Sequence, residues 1–440
     1  MADGTRAALR ERAAATLFVD THEHLLEERT RLAGPGAHDL QPCLDAALLF
    51  FHYARDDLWS AGMPSAAQAA FFAPEGDPRE KWRLVEPYWR RVRHTGYLRA
   101  VAETVRILFG VEELDAGSFE RVGQRMQAEA GPGFYRRVLR EAAKVELCQV
   151  NSLQTSAFQE TEYPDLIQQD LSLVPFSTGL DRRAVETMGQ RSGLAVGSLA
   201  DWHRVIDWAF ATYGPRADAV KSQAAYQRRL DYAEVPAGDA SPLFDRLLTG
   251  EMLPSAERKA LEDHLMRRCL GLAAEHELPV KLHCGYYAGT DRMPLERVRR
   301  NAADLCPLFA AFPRATFVLM HIGYPYQDEY VALAKHYRNV AVDLCWAWII
   351  NPLASVRFVK EFLLGAPHSK LLTFGGDYTT VENIVGHAAL ARRGLVQALG
   401  ELVDEGWLSQ GAALDLLEPL MRGNARELFP ILRRGTPVGT

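Results

Sequence analysis

The sequence has few cysteines, and no two of them have the spacing of a metal-binding or redox motif. The six cysteines are Cys43, Cys148, Cys269, Cys284, Cys306 and Cys345, and most of them lie inside apolar runs. A chain that lacks C-x-x-C pairs gives no sign of a zinc finger or of a disulfide framework. The cysteines are therefore interpreted as buried thiols of a protein in a reducing compartment.

Long apolar runs and long basic runs are also missing. No stretch reaches the ~18 uninterrupted apolar residues of a membrane span, and the N-terminal segment has no apolar core like that of a secretion signal. The net charge of −6 argues against a nucleic-acid surface. These absences predict a cytoplasmic protein that acts on a small molecule and binds neither nucleic acid nor membrane. They leave open a homo-oligomer.

The chain instead shows a regular alternation of short apolar segments and amphipathic helices. The predicted strands lie near residues 17, 148, 171, 218, 280, 317, 341 and 372, and the third covers LSLVPFS at 171–177. Eight such units indicate a (β/α)8 barrel of the TIM type, and strands that are apolar on both faces fit its buried sheet. A doubly wound open sheet is the alternative, although no glycine-rich phosphate loop follows the first strand.

The longest interruption of the alternation follows the first strand, and a second, shorter insertion covers about residues 227–254. We expect three parts: residues 1–33 with the N-terminal helix and the first strand, an aromatic-rich and mostly helical insertion at 34–132, and residues 133–440 with the remaining barrel and the C-terminal helices. The insertion is expected to pack on the barrel and to shape a pocket. Its many aromatic residues are accounted for equally well by the core of a monomer and by a contact between subunits.

Metal-binding side chains stand where the predicted strands end. They are His22 and His24 on the first strand, Lys221 on the fourth, His283 on the fifth, His321 on the sixth and Asp377 on the eighth. Strand side chains alternate between faces, so the two histidines of the first strand point the same way, ~6.6 Å apart. Catalytic groups of a barrel gather at this end, and imidazole and carboxylate are ligands of divalent metals.

This set predicts a site for a divalent metal, with Zn2+ expected and Mn2+, Fe2+ or Ni2+ as alternatives. Asp377 can also take a proton from water. Lys221 is expensive to bury as a cation. It is expected to lose its charge, to pair with Asp377, to contact the substrate, or to be carboxylated and bridge two metals. One ion is therefore expected, or two if Lys221 is carboxylated.

Other residues are weaker candidates for substrate contacts. They are Arg29, Tyr324, Trp346, Trp348 and Arg228. An arginine near a metal can hold a substrate carboxylate, but a surface ion pair explains each arginine as well, and core packing explains the tryptophans. The histidines on predicted helices and in the insertions are interpreted as structural: His52, His94, His203, His264 and His276.

The motifs together resemble the amidohydrolase superfamily. The resembling segments are VDTHEH, KLHCG, VLMHIGYP, FGGD and MRGNARELF, and the likeness covers about residues 15–30 and 134–430. Longer stretches around the first, fourth and sixth strands are similar to the amidohydrolase domain that some fungal and plant proteins fuse to a glutamine synthetase. The insertion and the tryptophan-rich seventh strand are similar to uronate isomerases.

The resemblance implies roles for these residues. His22 and His24 would ligate the metal, and His283 would be a ligand or lie near it. His321 would ligate a second metal or polarise the substrate carbonyl, and Asp377 would be ligand and general base. The expected function is hydrolysis of an amide, lactone or related C–N or C–O bond of a carboxylate-bearing small molecule by metal-activated water.

Two alternatives remain open beside this expectation. The same metal site fits a non-oxidative decarboxylase or a uronate-type isomerase. A binding protein built on a relic barrel is the non-enzymatic alternative, although a relic has no reason to keep the full set of ligands.

Overall fold

Eight parallel strands form the centre of the protein. The computed structural model describes residues 2–154, 157–430 and 432. The strands, labelled β1 to β8, hydrogen-bond in the order of the sequence. Their bounds are Phe18–Glu23, Val145–Val150, Ile167–Ser172, Ala217–Ser222, Val280–Leu282, Phe317–Met320, Val340–Asp343 and Leu371–Leu372. A parallel sheet in sequential order with helices between its strands is the predicted (β/α)8 barrel, and this prediction is confirmed.

Backbone hydrogen bonds join the end of the sheet to its beginning. Beyond β8, the amide of Thr21 donates to the carbonyl of Phe374 over 2.9 Å, and the amide of His24 donates to the carbonyl of Tyr378 over 2.9 Å. Between them, the amide of Asp377 donates to the carbonyl of His22, also over 2.9 Å. The ring therefore closes at the point where β1 carries its two histidines.

Twenty α-helices surround the strands within the described residues. In chain order, α1 to α20 are Ala2–Ala15, Glu28–Leu32, Ala54–Ser60, Ser65–Phe71, Pro78–Val92, Gly96–Phe109, Ala116–Glu129, Phe134–Arg136, Val174–Ser177, Arg182–Ser192, Leu199–Tyr213, Ala237–Leu248, Ser255–Glu275, Leu295–Ala311, Gln327–His336, Ala347–Ile350, Pro352–Gly365, Asn383–Asp404, Gln410–Glu418 and Asn424–Leu428. No helix in this part of the chain is long and apolar enough to cross a membrane.

Seven shorter helical turns complete the secondary structure of the described residues. Five are 3-10 turns, at Ala46–Phe50, Gly214–Arg216, Ala224–Tyr226, His321–Gly323 and His368–Lys370. Two are π-helical, at Arg137–Ala142 and Pro419–Gly423. The turn at His321–Gly323 follows β6 directly, so the chain changes direction at a predicted site residue.

One predicted strand is shorter than expected. The sequence analysis extended the third strand to residue 177, but β3 ends at Ser172 and Val174–Ser177 forms α9. Pro175 occupies one of the first two positions of that helix. Proline has no amide hydrogen to give to a sheet and is well placed at a helix start, which explains the early end of the strand.

Helices α3 to α7 fold into the predicted helical layer between β1 and β2. Their core is aromatic: the ring of Phe50 lies 5.5 Å from that of Phe71 and 5.8 Å from that of Trp89, centroid to centroid. Helix α7 begins with a capping box, in which the side chains of Asp115 and Ser118 each bond the other's backbone amide. Helix α6 of this layer packs against α18 of the barrel. The residue limits predicted for the insertion stay a prediction.

Candidate metal centre

Three side chains converge at the junction of β1 and the loop after β8. The Nε2 atoms of His22 and His24 lie 3.3 Å and 3.2 Å from Oδ1 of Asp377. All three side chains are buried, and their ligand atoms lie within 4.8 Å of one another. The strand alternation predicted that the two histidines face the same way, and the ring-closing hydrogen bonds explain why the aspartate meets them.

The hydrogen bonds of His24 show which of its atoms is free to bind a cation. Its Nδ1 lies 2.7 Å from the carbonyl oxygen of Asn151, which can only accept, so Nδ1 carries the hydrogen. Its Nε2 therefore presents a lone pair, towards which the side-chain amide of Gln223 points over 3.2 Å. Metal-binding histidines are commonly oriented by such a bond. Two acceptor atoms only 3.2 Å apart, Nε2 of His24 and Oδ1 of Asp377, repel each other. A cation bound by both atoms removes this repulsion.

Burial and charge keep this centre in the protonation state that ligands need. Burial lowers the pKa of His22 well below its usual value, and the nearby Lys221 lowers it further. Burial alone would raise the pKa of Asp377, but His22, His24 and His321 outweigh it and hold that pKa well below its usual value. His22 also has a buried Nδ1 without a hydrogen-bond partner among the described residues. Neutral imidazoles beside an ionised carboxylate fit a divalent metal.

A second group of ligand atoms shares Asp377. Nε2 of His321 lies 3.7 Å from Oδ2 of the aspartate. The thiol of Cys345 completes this group, with all three ligand atoms within 4.8 Å. Sequence reasoning assigned Cys345 to the core, and burial does raise its pKa well above the usual value. Its place in the site follows from the turn after β7, which strand alternation does not predict.

His283 lies one step behind His321. Its Nε2 donates to the carbonyl oxygen of Tyr286 over 2.9 Å, which leaves a lone pair on Nδ1. That lone pair accepts from Nε2 of His321 over 3.0 Å. The structure thus brings His283 to His321 but not into either group of converging ligand atoms found among the described residues. Its role as a metal ligand stays a prediction.

Lys221 reaches the centre from β4. Its Nζ lies 3.2 Å from Nε2 of His22 and 2.9 Å from the sulfur of Met320. Burial lowers the pKa of Lys221 to about 8, against the opposing effect of Asp377. Within the described ranges no ion pair of 4 Å or less joins Lys221 to Asp377. The lysine is therefore placed beside a ligand, and its carboxylation stays a prediction.

The backbone is strained where the second group is formed. His321, Cys345 and Asp377 have φ angles of 62°, 43° and 61°. Side chains other than glycine rarely adopt this left-handed conformation, which costs energy that the surrounding structure must supply. Gly376 lies against Glu23, because a Cβ on this glycine would come within 1.9 Å of the glutamate's Oε1. Tight packing thus holds the strained loop in place.

Trp346 is the one predicted substrate residue that the structure brings against the cluster. Its ring lies 5.6 Å from that of His321, nearly perpendicular. Trp348 instead donates from its indole nitrogen to the carbonyl of Thr373 over 2.7 Å and is wholly buried. Tyr324 is half-buried and lies 6.0 Å from the ring of Tyr286, further out.

The two predicted arginines are engaged elsewhere. Arg29 is exposed and lies 3.3 Å from Glu162. Arg228 pairs with Glu262 over 3.0 Å and also with Asp263. Its guanidinium stacks 4.6 Å from the ring of Tyr232. Arg228 is therefore held by structural ion pairs, whereas the substrate role of Arg29 stays a prediction.

The insertion contributes two residues that sequence reasoning missed. The hydroxyl of Tyr53 donates to the backbone carbonyl of Asp377 over 2.7 Å. The ring of His52 stacks on Tyr53 at 4.1 Å and meets Tyr378 at 5.9 Å. Burial lowers the pKa of His52 to about 3, while Asp377 opposes this. The only sequence signal was the adjacency of a histidine and a tyrosine in an aromatic segment, which does not reveal their position.

Comparison with known families decides the relationship. The family model described as amidohydrolase matches residues 196–431, which is more than half of the chain. The chain belongs to the amidohydrolase family. Members of this superfamily are metal-dependent, and His22, His24 and Asp377 give this chain a candidate site for an ion. The resemblance inferred from the motifs is confirmed, and membership of an enzyme family supports an enzyme.

Relatives and solved structures refine this picture. The chain is 31% identical to the protein fluG of Emericella nidulans over 36% of its own length and 19% of that protein. It is 26% identical to a uronate isomerase of Brucella canis over 45% of its length and 46% of that enzyme. The chain thus spans less than half the length of these curated relatives.

Two crystal structures share its fold over nearly the whole chain. The uronate isomerase of Thermotoga maritima has a TM-score of 0.77 at 16% identity, with 97% of each chain covered. The glucuronate isomerase of Caulobacter crescentus has a TM-score of 0.76 at 18% identity, covering 99% of this chain and 95% of that one. At such low identity these likenesses establish the fold, including the helical layer after β1.

Proposed function

We propose that the protein is a metal-dependent hydrolase that cleaves an amide, lactone or related C–N or C–O bond of a small molecule. The observation that carries this proposal is the convergence of His22 Nε2 and His24 Nε2 on Oδ1 of Asp377, at 3.3 and 3.2 Å. His22, His24 and Asp377 would hold the ion, for which Zn2+ is the expected choice. When bound, the metal acts as a Lewis acid and lowers the pKa of water to ~7.

Asp377 is the base of this mechanism. One oxygen faces the histidines of β1, and Oδ2 faces His321 at 3.7 Å. Oδ2 is thus placed to take a proton from the attacking water and to return it to the leaving group. The depressed pKa of Asp377 keeps the carboxylate ionised before the reaction. Burial of the cluster limits access of bulk water.

His321 is placed to polarise the substrate carbonyl. Because His283 donates from Nε2 to Tyr286, its Nδ1 must accept, and the hydrogen between the two rings belongs to Nε2 of His321. A substrate oxygen that displaces this contact would receive the same hydrogen. Hydrogen-bond donors directed at a developing oxyanion are worth several kcal/mol in the transition state. This tautomer favours a substrate contact over metal ligation through Nε2.

The replacement Asp377→Asn tests the assignment of the base. The amide cannot take a proton at this position, so we expect a loss of turnover of about 10²-fold or more, while the fold remains. Turnover of a panel of amides and lactones measures the loss of activity, and circular dichroism measures whether the fold remains. The matched control is Asp328→Asn, because Asp328 is exposed at the start of α15. Full turnover in Asp377→Asn would refute the mechanism.

An isomerase of uronate type is the second candidate. It is supported by the match to the Brucella canis enzyme over 45% of the chain. Against it stands the engagement of the buried Arg228 by Glu262 and Asp263, since a uronate carries a carboxylate that needs a cationic partner.

Product mass separates these reactions. Hydrolysis adds one water to the substrate, and in oxygen-18 water the new carboxylic acid carries the label, because the water attacks the carbonyl carbon. Isomerisation leaves the mass unchanged, and decarboxylation releases carbon dioxide. A product of unchanged mass from a uronate would reject the hydrolase in favour of the second candidate.

A further inference from the structure

The loop after β8 carries the proposed base in a conformation that needs support from its surroundings. Asp377 has a φ of 61°, a region that side chains other than glycine rarely adopt. Its own amide donates to the carbonyl of His22 over 2.9 Å, and its carbonyl accepts from the hydroxyl of Tyr53 over 2.7 Å. The amides on either side belong to Gly376 and Tyr378. Because this segment is buried, these two amides also need acceptors.

Two carboxyl groups of β1 supply these acceptors. Oε2 of Glu23 accepts from the amide of Tyr378 over 2.7 Å. Oδ1 of Asp20 accepts from the amide of Gly376 over 3.3 Å and from the amide of His22 over 3.1 Å. Both acidic side chains are wholly buried. Together they hold the residue before the proposed base and the residue after it.

Asp20 and Glu23 also bind each other, and we call them the carboxyl pair. The two side chains are hydrogen-bonded, and since both are carboxyl groups this bond requires a shared proton. Burial raises the pKa of both groups, which favours the protonated pair. Apart from this bond, neither Oδ2 of Asp20 nor Oε1 of Glu23 has a hydrogen-bond partner among the described residues. The carboxyl pair is therefore engaged with the loop and with itself.

The fit between the carboxyl pair and the loop is close. A Cβ on Gly376 would lie 1.9 Å from Oε1 of Glu23 and 2.8 Å from its Cδ. No side chain can therefore stand at residue 376 while the glutamate keeps its place. The short strand β1 thus supplies two proposed ligands, His22 and His24, and also the groups that hold the loop of the third.

We propose that Asp20 and Glu23 are positioning residues that hold Asp377 at the metal centre, an inference that rests on the proposed hydrolase function. Neither residue belongs to the two groups of converging ligand atoms found in the described part of the chain. Their hydrogen bonds fix the backbone on both sides of Asp377. This keeps one carboxylate oxygen directed at the histidines of β1 and the other at His321. Residues that orient a metal ligand commonly contribute about 10- to 100-fold to metal affinity.

The Zn2+ affinity of the full-length protein tests this role without a substrate. Competition with a chromophoric chelator measures Kd, and the visible spectrum of the Co2+-loaded protein reports the geometry around the ion. Glu23→Leu keeps most of the side-chain volume but removes the acceptor. We expect it to weaken Zn2+ binding by about tenfold or more and to change the Co2+ spectrum. Glu23→Gln keeps an oxygen for the amide of Tyr378 and offers Asp20 an N–H in place of the shared proton, so it should bind Zn2+ like the wild type.

Two controls separate positioning from a loss of stability. Leu265→Ala removes a wholly buried side chain of α13 and should lower stability while the Zn2+ affinity stays unchanged. In the Asp377→Ala background, Glu23→Leu should change the Zn2+ affinity by less than about twofold, because the residue it positions is gone. If Glu23→Leu fails to fold by circular dichroism, Gly376→Ala replaces it, because the added methyl group would displace the glutamate. The same loss of about tenfold is then expected.

The outcomes distinguish the positioning role from the proposed function. Unchanged Zn2+ affinity in Glu23→Leu, an equal loss in Glu23→Gln or Leu265→Ala, or a full effect in the Asp377→Ala background would each overturn the positioning role while the metal centre stands. Equal Zn2+ binding by the wild type and by His22→Ala/His24→Ala would reject the centre and the positioning role together. If Asp377→Asn keeps its turnover while Glu23→Leu loses Zn2+, the assignment of the base fails and the positioning role stands.

Discussion

Asp57 is a residue whose charge opposes folding. Burial and the neighbouring Asp56 raise its pKa to about 6, and only the hydroxyl of Thr95 opposes them. The group has an ordinary pKa of 3.8 when unfolded. Its ionised form is therefore disfavoured in the folded protein. The shift therefore lowers the free energy of unfolding above pH 6, and this loss of stability disappears below about pH 4.

The replacement Asp57→Asn should therefore stabilise the protein at pH 8. We expect a gain of about 1 kcal/mol, reduced by solvent screening of a partly exposed group, and almost no gain at pH 4. Thermal melts at the two pH values measure it. Asp165→Asn is the matched control with the opposite sign, because Arg136 lowers the pKa of Asp165. A gain that does not depend on pH would show that charge is not the cause.

Sequence reasoning proposed His22, His24, His321 and Asp377 for the centre because each stands at or beyond the end of a predicted strand. Alternation along β1 placed His22 and His24 on one side, and barrel geometry placed Asp377 opposite. It could not find Cys345, whose thiol reaches the site only through a left-handed turn with a φ of 43°. Nor could it find His52, because the path of an inserted segment over a barrel is set by packing and not by periodicity.

At the level of helices and strands, the contact between α6 and α18 attaches the insertion to the barrel. Gly386 makes this contact close, because a Cβ there would lie 1.9 Å from the carbonyl oxygen of Ala100. The sequence predicted a mostly helical insertion and C-terminal helices, without the bounds of either partner. The sequence could not predict how closely the two helices approach, because this depends on the absence of a side chain at Gly386.

The replacement Gly386→Ala should separate these helices. We expect a loss of about 2 kcal/mol or more in the free energy of unfolding, as is usual for overpacking. Gly271→Ala in α13 is the control, because a Cβ at that helical glycine meets nothing within 4 Å. The control should be neutral or stabilising by up to ~1 kcal/mol, since alanine favours helix. Denaturant unfolding of both variants gives the comparison, and equal effects would contradict the packing argument.

At the scale of the whole molecule, the metal centre coincides with the closure of the barrel. The backbone bonds between β1 and the loop after β8 flank the same residues whose side chains would hold the ion. An ion bound only by the folded state stabilises it by about 2.7 kcal/mol when its free concentration is 100 times Kd. The sequence was enough to predict eight strands in sequential order. Only the hydrogen-bond register between β1 and the loop after β8 shows that the barrel closes at the metal centre.

Removal of metal should therefore lower the melting temperature of the whole protein. Treatment with a chelator is expected to reduce Tm by several degrees, and Zn2+ in slight excess should restore it. The variant His22→Ala/His24→Ala is the control, because it lacks two of the three proposed ligands and should not respond to either treatment. Elemental analysis accompanies the melts. An identical response of wild type and variant would place the ion elsewhere.

The hydrogen bond from Tyr53 to the backbone of Asp377 joins the insertion to the loop that carries the proposed base. A minimal barrel made by cutting the insertion away would thus lose a direct support of that loop. The helical layer is therefore part of the scaffold of the proposed site.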